Sequence, residues 1–231
     1  MIISHQHKFI FLKTEKTAGT SLEIALSKYC GDKDIITPIT PNDEAIRMKL
    51  SYRGKQNYHI PFHKYSKIDW VKYLVKQQRL SFYNHMPATE IKEYVSEEVW
   101  NTYFKFCFER NPWDKTISNY HWRQHFGGEK YDSIESFIMS GMAGKIRGFE
   151  VYSIGGLPVV DQVYKFEELP KALVDISKQI RLKETLQMPT YKAKGNVRKD
   201  KRHYSEVLSE REKELIRKIF AREIAWWGYG G

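Results

Sequence analysis

Apolar and polar positions change period several times along this chain. Residues 9–12 (Phe-Ile-Phe-Leu) make a short β-branched and aromatic run, and Leu22, Ala25, Leu26 and Tyr29 then recur at helical spacing. Residues 103–108 (Tyr-Phe-Lys-Phe-Cys-Phe) read as a second strand. A helix follows it, with Asn111 as N-cap, Pro112 at the first helical position and Asp114 complementing the positive helix end. Residues 80–83 predict a short strand before a helix over 88–95, and residues 159–166 a strand before a helix over 169–180. Further helices are predicted over about 66–78 and 134–138. An amphipathic terminal helix is expected over 206–227, with Trp226, Trp227 and Tyr229 sealing the core behind it. Strands alternating with helices predict an α/β protein with a parallel sheet, and 231 residues suit one domain over 1–231.

Two strand-to-helix junctions carry the candidate chemistry. After residues 9–12 comes a turn with a lysine, a glycine and hydroxyl side chains, and then a helix N-terminus. The unpaired N–H groups and the dipole of a first helical turn favour an anion. Gly19 permits close backbone approach, Thr17, Thr20 and Ser21 add donors, and Lys16 adds a mobile charge. A nucleotide P-loop reads GxxxxGK[ST], whereas here the lysine precedes the glycine, so no Mg²⁺ ligand set is evident. At the second junction, Arg110 can grip a phosphate with its guanidinium fork, and Ser118, two turns into the helix, can donate to the same group. The bland alternatives are an ordinary polar turn at the first junction and a structural arginine at the second.

The motifs KTAGTSLE (residues 16–23) and FERNPWDKTISNY (108–120) together resemble the two nucleotide-binding signatures of sulfotransferases that use 3′-phosphoadenosine-5′-phosphosulfate (PAPS). The resemblance is greatest to the carbohydrate-type branch. It continues through residues 85–91, 161–169 and 204–229, and it leaves residues 30–81 largely outside. It implies a three-layer α/β fold with a P-loop-like donor site and transfer of a sulfuryl group to a hydroxyl, on a saccharide or glycoconjugate acceptor. It further implies that Lys16, Thr17, Ala18, Gly19, Thr20 and Ser21 hold the 5′-phosphosulfate, and that Arg110 and Ser118 hold the 3′-phosphate. Arg198, Lys199 and Arg202, in a basic run that tends to close over the nucleotide, are weaker phosphate contacts, and His85 falls at the place of a catalytic base. Two departures stand out: Glu15 replaces a frequent proline, and Glu109 replaces an aliphatic residue beside the arginine. A carboxylate beside a phosphate site is repulsive unless it points away or pairs with a lysine.

Sulfuryl transfer runs in line through a loose transition state, as phosphoryl transfer does. Charge grows on the leaving oxygen, where Lys16 would act more strongly on the transition state than on the ground state. The acceptor hydroxyl must lose its proton, and a histidine meets that need near neutral pH. His85 is the candidate; His59, His63 and Glu15 are rivals, and capping of the next helix is the structural alternative for His85. His121 and His125 share a helix face without a cysteine or carboxylate set, so no metal site is read.

The remaining composition narrows the setting. Two cysteines, Cys30 and Cys107, cannot build a disulfide framework. No run of about 18 apolar residues occurs, which argues against a membrane span or signal peptide and favours a bacterial cytoplasmic protein. The formal net charge of +10 suits an anionic donor and an anionic acceptor, yet also solubility or nucleic-acid affinity. A nucleotide kinase and a basic nucleic-acid-binding protein are therefore the alternative functions. Residues 31–81, rich in Lys, Tyr and His and punctuated by Pro38, Pro41, Gly54 and Pro61, read either as an acceptor-recognition segment or as a variable surface excursion.

Overall fold

The computed structural model describes residues 1–190, 200 and 202–230. Strand β1 (Ile2–Ser4) turns back within four residues into β2 (Phe9–Phe11), and helix α1 (Gly19–Ser27) follows. The short β3 (Ile35–Ile36), α2 (Pro41–Lys49), α3 (Lys67–Lys76), α4 (Ala88–Tyr94) and α5 (Glu97–Thr102) lead to β4 (Phe104–Glu109). Helix α6 (Pro112–Phe126) leaves β4, capped by Asn111, whose side chain accepts from the N–H groups of Trp113 and Asp114. Next come α7 (Ile134–Met139), α8 (Phe149–Tyr152), a hairpin of β5 (Ser153–Ile154) and β6 (Leu157–Pro158), and β7 (Gln162–Lys165) with α9 (Leu169–Gln179). The chain closes with α10 (Tyr204–Val207), α11 (Glu210–Ile219) and α12 (Ala221–Trp227).

The main sheet runs in the order β3-β1-β2-β4-β7. Its β2, β4 and β7 are parallel, as expected, but β1 pairs antiparallel with both β2 and β3, so the sheet is mixed. The reason is local. The turn between β1 and β2 is too short for a crossover, and only an antiparallel hairpin can use it. β3 also shows that residues 31–81 are more than an excursion, since they supply the edge strand.

Side chains alternate cleanly between the two sheet faces. Ile2, Phe9, Phe11, Phe106, Phe108 and Tyr164 pack under Leu22 and Leu26 of α1 and Ala172 and Ile176 of α9. Ile3, Ile10, Leu12 and Cys107 pack on the other face against Ala88 and Ile91 of α4, Trp100 of α5 and Tyr152 of α8. Helices thus cover both faces of a mixed α/β sheet. A third apolar cluster joins α6 and α7 to the C-terminal helices through Trp113, Ile117, Phe137, Ile216 and Phe220.

The expected terminal helix is three short ones. Ser209 starts α11 with a capping box to Glu212, and Phe220 leaves helical geometry between α11 and α12. Trp227 is partly buried and donates to the Tyr152 hydroxyl at 2.8 Å, and Tyr229 is buried, but Trp226 stays 48% exposed. Residues 80–83 do not form a strand; Ser81 makes only an isolated bridge to His59. Among the described residues, no helix is long and apolar enough to cross a membrane.

Candidate functional site

The site grows from the ends of the parallel strands. Beyond β2, the Leu12 N–H donates to the Phe106 carbonyl at 2.9 Å and the Thr14 hydroxyl donates to the Phe108 carbonyl, so the loop stays pinned to β4. Lys16 and Ala18 then take left-handed backbone angles (φ 64° and 57°), with Thr17 between them in the ordinary region. Alternating handedness turns successive N–H groups toward one side and forms an anion-binding concavity. Each left-handed non-glycine residue costs about 1–2 kcal/mol, and strain of this kind gathers at ligand-binding loops. Gly19 opens α1 where a Cβ would lie 2.8 Å from Lys13 Cγ, so only glycine fits without movement. The cap residue Ala18 offers no side-chain acceptor and the first turn of α1 holds no acidic residue, leaving this helix end electropositive.

Arg110 stands just past β4. Its guanidinium donates to the Lys16 carbonyl at 3.2 Å, and its Cζ lies over the Phe166 ring, 4.7 Å from the centroid. One turn of α6 separates Ser118 from Trp122, and Lys16 Nζ lies 5.3 Å from the Trp122 ring centroid. These groups surround a cleft of about 510 Å³. Lys16, Ala18, Gly19, Thr20, Ser21, Arg110, Ser118 and His85 all line it, so two motifs about 90 residues apart meet in one cavity. Its size falls in the ordinary range for a small-ligand site.

Geometry resolves one of the two acidic departures and leaves the other in the cleft. Glu109 points away from the cleft into a buried ion pair with Lys115 at 2.9 Å, where the two side chains are 1% and 0% exposed. Gly148 packs against this pair so closely that a Cβ would sit 2.5 Å from Lys115 Nζ. Glu15 does line the cleft, but its carboxylate accepts from the Arg147 N–H at 3.2 Å and is held to that loop.

His85 adopts a left-handed conformation (φ 60°) just before α4, and it comes from an irregular segment rather than a strand end. Its Nδ1 lies 2.8 Å from the Lys13 carbonyl. A carbonyl only accepts, so Nδ1 carries the proton and Nε2 presents a lone pair. Desolvation, followed by the charge of Lys13, lowers the pKa of this imidazole from 6.5 to about 3, so it is neutral at physiological pH. The Lys13 amine is held in turn by Glu23 at 2.8 Å and by Asn84 at 3.1 Å. Glu23 is fully buried, also meeting Arg47 of α2 at 3.6 Å and the Met1 amino group at 3.1 Å. Burial alone would raise the Glu23 pKa, but these cations, Lys13 foremost, hold it down at about 2.

The remaining expected residues fall elsewhere. Thr17 is buried, and its hydroxyl shares a 3.0 Å hydrogen bond with that of Thr14, so it braces the loop instead of lining the cleft. His59 is exposed and bonded to Ser81, His63 is exposed as well, and neither lines the cleft. Arg202 is exposed and ion-paired with Asp200 at 2.6 Å; Arg198 and Lys199 lie outside the described residues. The cleft also recruits Lys13, Asn119, Trp122, Arg123 and Phe166, which sequence reasoning did not single out. Helical spacing from Ser118 would have found Trp122 at i+4, and the end of β7 would have found Phe166. Among the described residues, no group of three His, Cys, Asp or Glu side chains is placed to hold a metal ion.

Comparison with known proteins yields one informative relative. The chain is 31% identical over 104 residues to a protein of Archaeoglobus fulgidus, a match spanning 44% of this chain and 87% of the archaeal one. The two proteins belong to one family. The archaeal member is described only as an uncharacterized protein, so family membership brings no activity with it. No family model matches the chain, and no solved structure matches it.

Proposed function

We propose that this protein is a PAPS-dependent sulfotransferase that moves a sulfuryl group from PAPS to an acceptor hydroxyl, on a saccharide or glycoconjugate. The observation that carries the reading is the meeting of Lys16, Ala18, Gly19, Thr20 and Ser21 with Arg110 and Ser118 in one cleft beside His85. A lysine, an arginine, hydroxyl groups and a helix N-terminus in one cleft suit an anionic ligand. The 5′-phosphosulfate would lie in the concavity of Lys16 and Ala18 at the α1 N-terminus, with the 3′-phosphate at Arg110 and Ser118. PAPS is a substrate here, and the reaction as written uses no metal. The sequence resemblance supplies the acceptor class.

In the proposed step, the bond from sulfur to the bridging phosphate oxygen breaks as the acceptor oxygen bonds to sulfur from the opposite side. Lys16 neutralises the charge growing on the leaving oxygen. The acceptor proton passes to His85 Nε2, whose lone pair faces the reaction because Nδ1–H is tied to Lys13. A pKa near 3 makes a weak base in the free protein. Bound donor brings negative charge beside the imidazole and raises its pKa toward the range where general-base catalysis is effective.

The test compares thermal stabilisation by 3′,5′-ADP, 5′-ADP, and ATP with Mg²⁺. A ligand that binds only the folded state stabilises it by about 2.7 kcal/mol at 100 Kd. The expected order puts 3′,5′-ADP first, with its advantage lost in Arg110→Ala. His85→Ala should retain 3′,5′-ADP binding and lose sulfuryl transfer, and Lys16→Ala should lose turnover far more than donor affinity. A preference for ATP with Mg²⁺ would replace this reading with a kinase.

A further inference from the structure

Helix α3 carries an apolar face that nothing among the described residues covers. Ile68, Val71, Leu74 and Val75 recur at i, i+3, i+6 and i+7 and are 60–76% exposed. The other side of the helix packs on the residues just before it, where Phe62 and Trp70 stay 38% and 41% exposed. Asp69 is buried in a capping box with Ser66, and Trp70 and Tyr73 join Phe62 and Tyr65 in an aromatic cluster, with Phe62 and Trp70 stacked at 5.3 Å. The capping box and this local cluster brace the helix, so the outward stripe is not the result of a frayed one.

Charge surrounds the stripe. Exposed Lys64, Lys67, Lys72, Lys76 and Arg79 stand within and around α3, and Lys72 and Lys76 flank the apolar residues one turn apart. Asp69 is the sole carboxylate of residues 61–79, and its Oδ2 accepts from the N–H and the hydroxyl of Ser66. An apolar stripe bordered by cations, on a helix about 15 Å long, matches the interface of a bilayer with anionic headgroups. A second copy of the chain fits poorly. The formal charge of +10 makes two such faces repel, and one short helix face offers far less than the about 800 Å² per partner of a standard interface.

We infer that α3 is a membrane-docking element, which lays Ile68, Val71, Leu74 and Val75 into the headgroup region of an anionic bilayer while the lysines meet lipid phosphates. This holds whatever reaction the cleft performs. The chain then meets the membrane from one side, through α3.

Sedimentation with phosphatidylcholine vesicles, with and without phosphatidylglycerol, tests the inference. The protein should bind the anionic vesicles, and added salt should weaken binding. The triple variant Val71→Ser, Leu74→Ser, Val75→Ser should lose at least tenfold in affinity with unchanged thermal stability, because all three side chains face solvent. Lys72→Gln with Lys76→Gln should lose about thirtyfold. Absence of binding to anionic vesicles would overturn the inference. So would full binding by the triple serine variant, which would reduce the effect to diffuse charge. A wild-type dimer that the triple variant converts to monomer would assign the face to a second copy instead.

Discussion

Lys115→Met removes the buried cation that sits 2.9 Å from Glu109. At that distance and an effective dielectric of about 20, the attraction amounts to about 6 kcal/mol. Desolvation of both ions offsets much of it in the native protein, but a variant that keeps Glu109 and loses its partner retains a buried, uncompensated charge. The expected net cost is about 3–5 kcal/mol. That is a large part of a total stability of about 5–15 kcal/mol. Methionine preserves the unbranched stem, so lost packing contributes little to the difference. For a chain of this length, the melting temperature should fall by about 6–20 °C. Urea unfolding followed by tryptophan fluorescence gives the free energy directly. The double variant Glu109→Gln, Lys115→Met should recover more than half of the loss, because neither charge remains buried. A single variant that costs under about 1 kcal/mol, or a double variant no more stable than the single one, would refute the argument.

Three further outcomes follow from the same geometry. Gly148→Ala drives a methyl group to 2.5 Å from Lys115 Nζ and should cost about 1–3 kcal/mol by urea unfolding, with little added loss in a Lys115→Met background. His85 binds a proton more weakly folded than unfolded, so stability should fall as pH drops below 6.5, by about 2 kcal/mol at pH 5, and flatten only near pH 3. His85→Gln, whose amide can still donate to Lys13, should lack that slope, and an equal slope in both proteins would exclude His85 as its source. Glu23→Gln should destabilise by about 3–5 kcal/mol at pH 7. Since Glu23 is held at about 2, its stabilising effect is complete above about pH 4.5 and lost as pH falls toward 2, so unfolding curves of variant and wild type should converge in acid.

Local signals in the sequence carried far. Asn111 and Pro112 marked the start of α6 to the residue, Ser66 marked α3, and residues 16–21 marked a strand-to-helix turn at the end of β2. These features are written in neighbouring residues, through caps, turns and period changes. Non-local pairing was harder to read. The mixed sheet depends on a three-residue strand before a tight turn, and Ile2 to Ser4 are too few to show a period. The terminal helix was over-extended because its apolar spacing runs on through Phe220 while the backbone breaks there. In the site, Ser118 was legible from its strand-to-helix motif, whereas Thr17 looked like a ligand donor and instead bonds Thr14. A hydroxyl in a turn gives no sequence sign of which way it points. The tether from His85 to the Lys13 carbonyl joins two residues 72 positions apart, and no pattern along the chain announces it.

Arg47 has a consequence that its place in a lysine-rich, weakly patterned segment conceals. It is fully buried against Glu23, and Glu23 holds Lys13, whose carbonyl holds His85. Residues 31–81 are therefore not an interchangeable module. A graft that replaced them with a relative's equivalent would have to bring along a cation at the same point, or Glu23 would lose a buried partner beside the lysine that adjoins His85. Diversification of this segment across the family should accordingly be free at its exposed tip and constrained at its root.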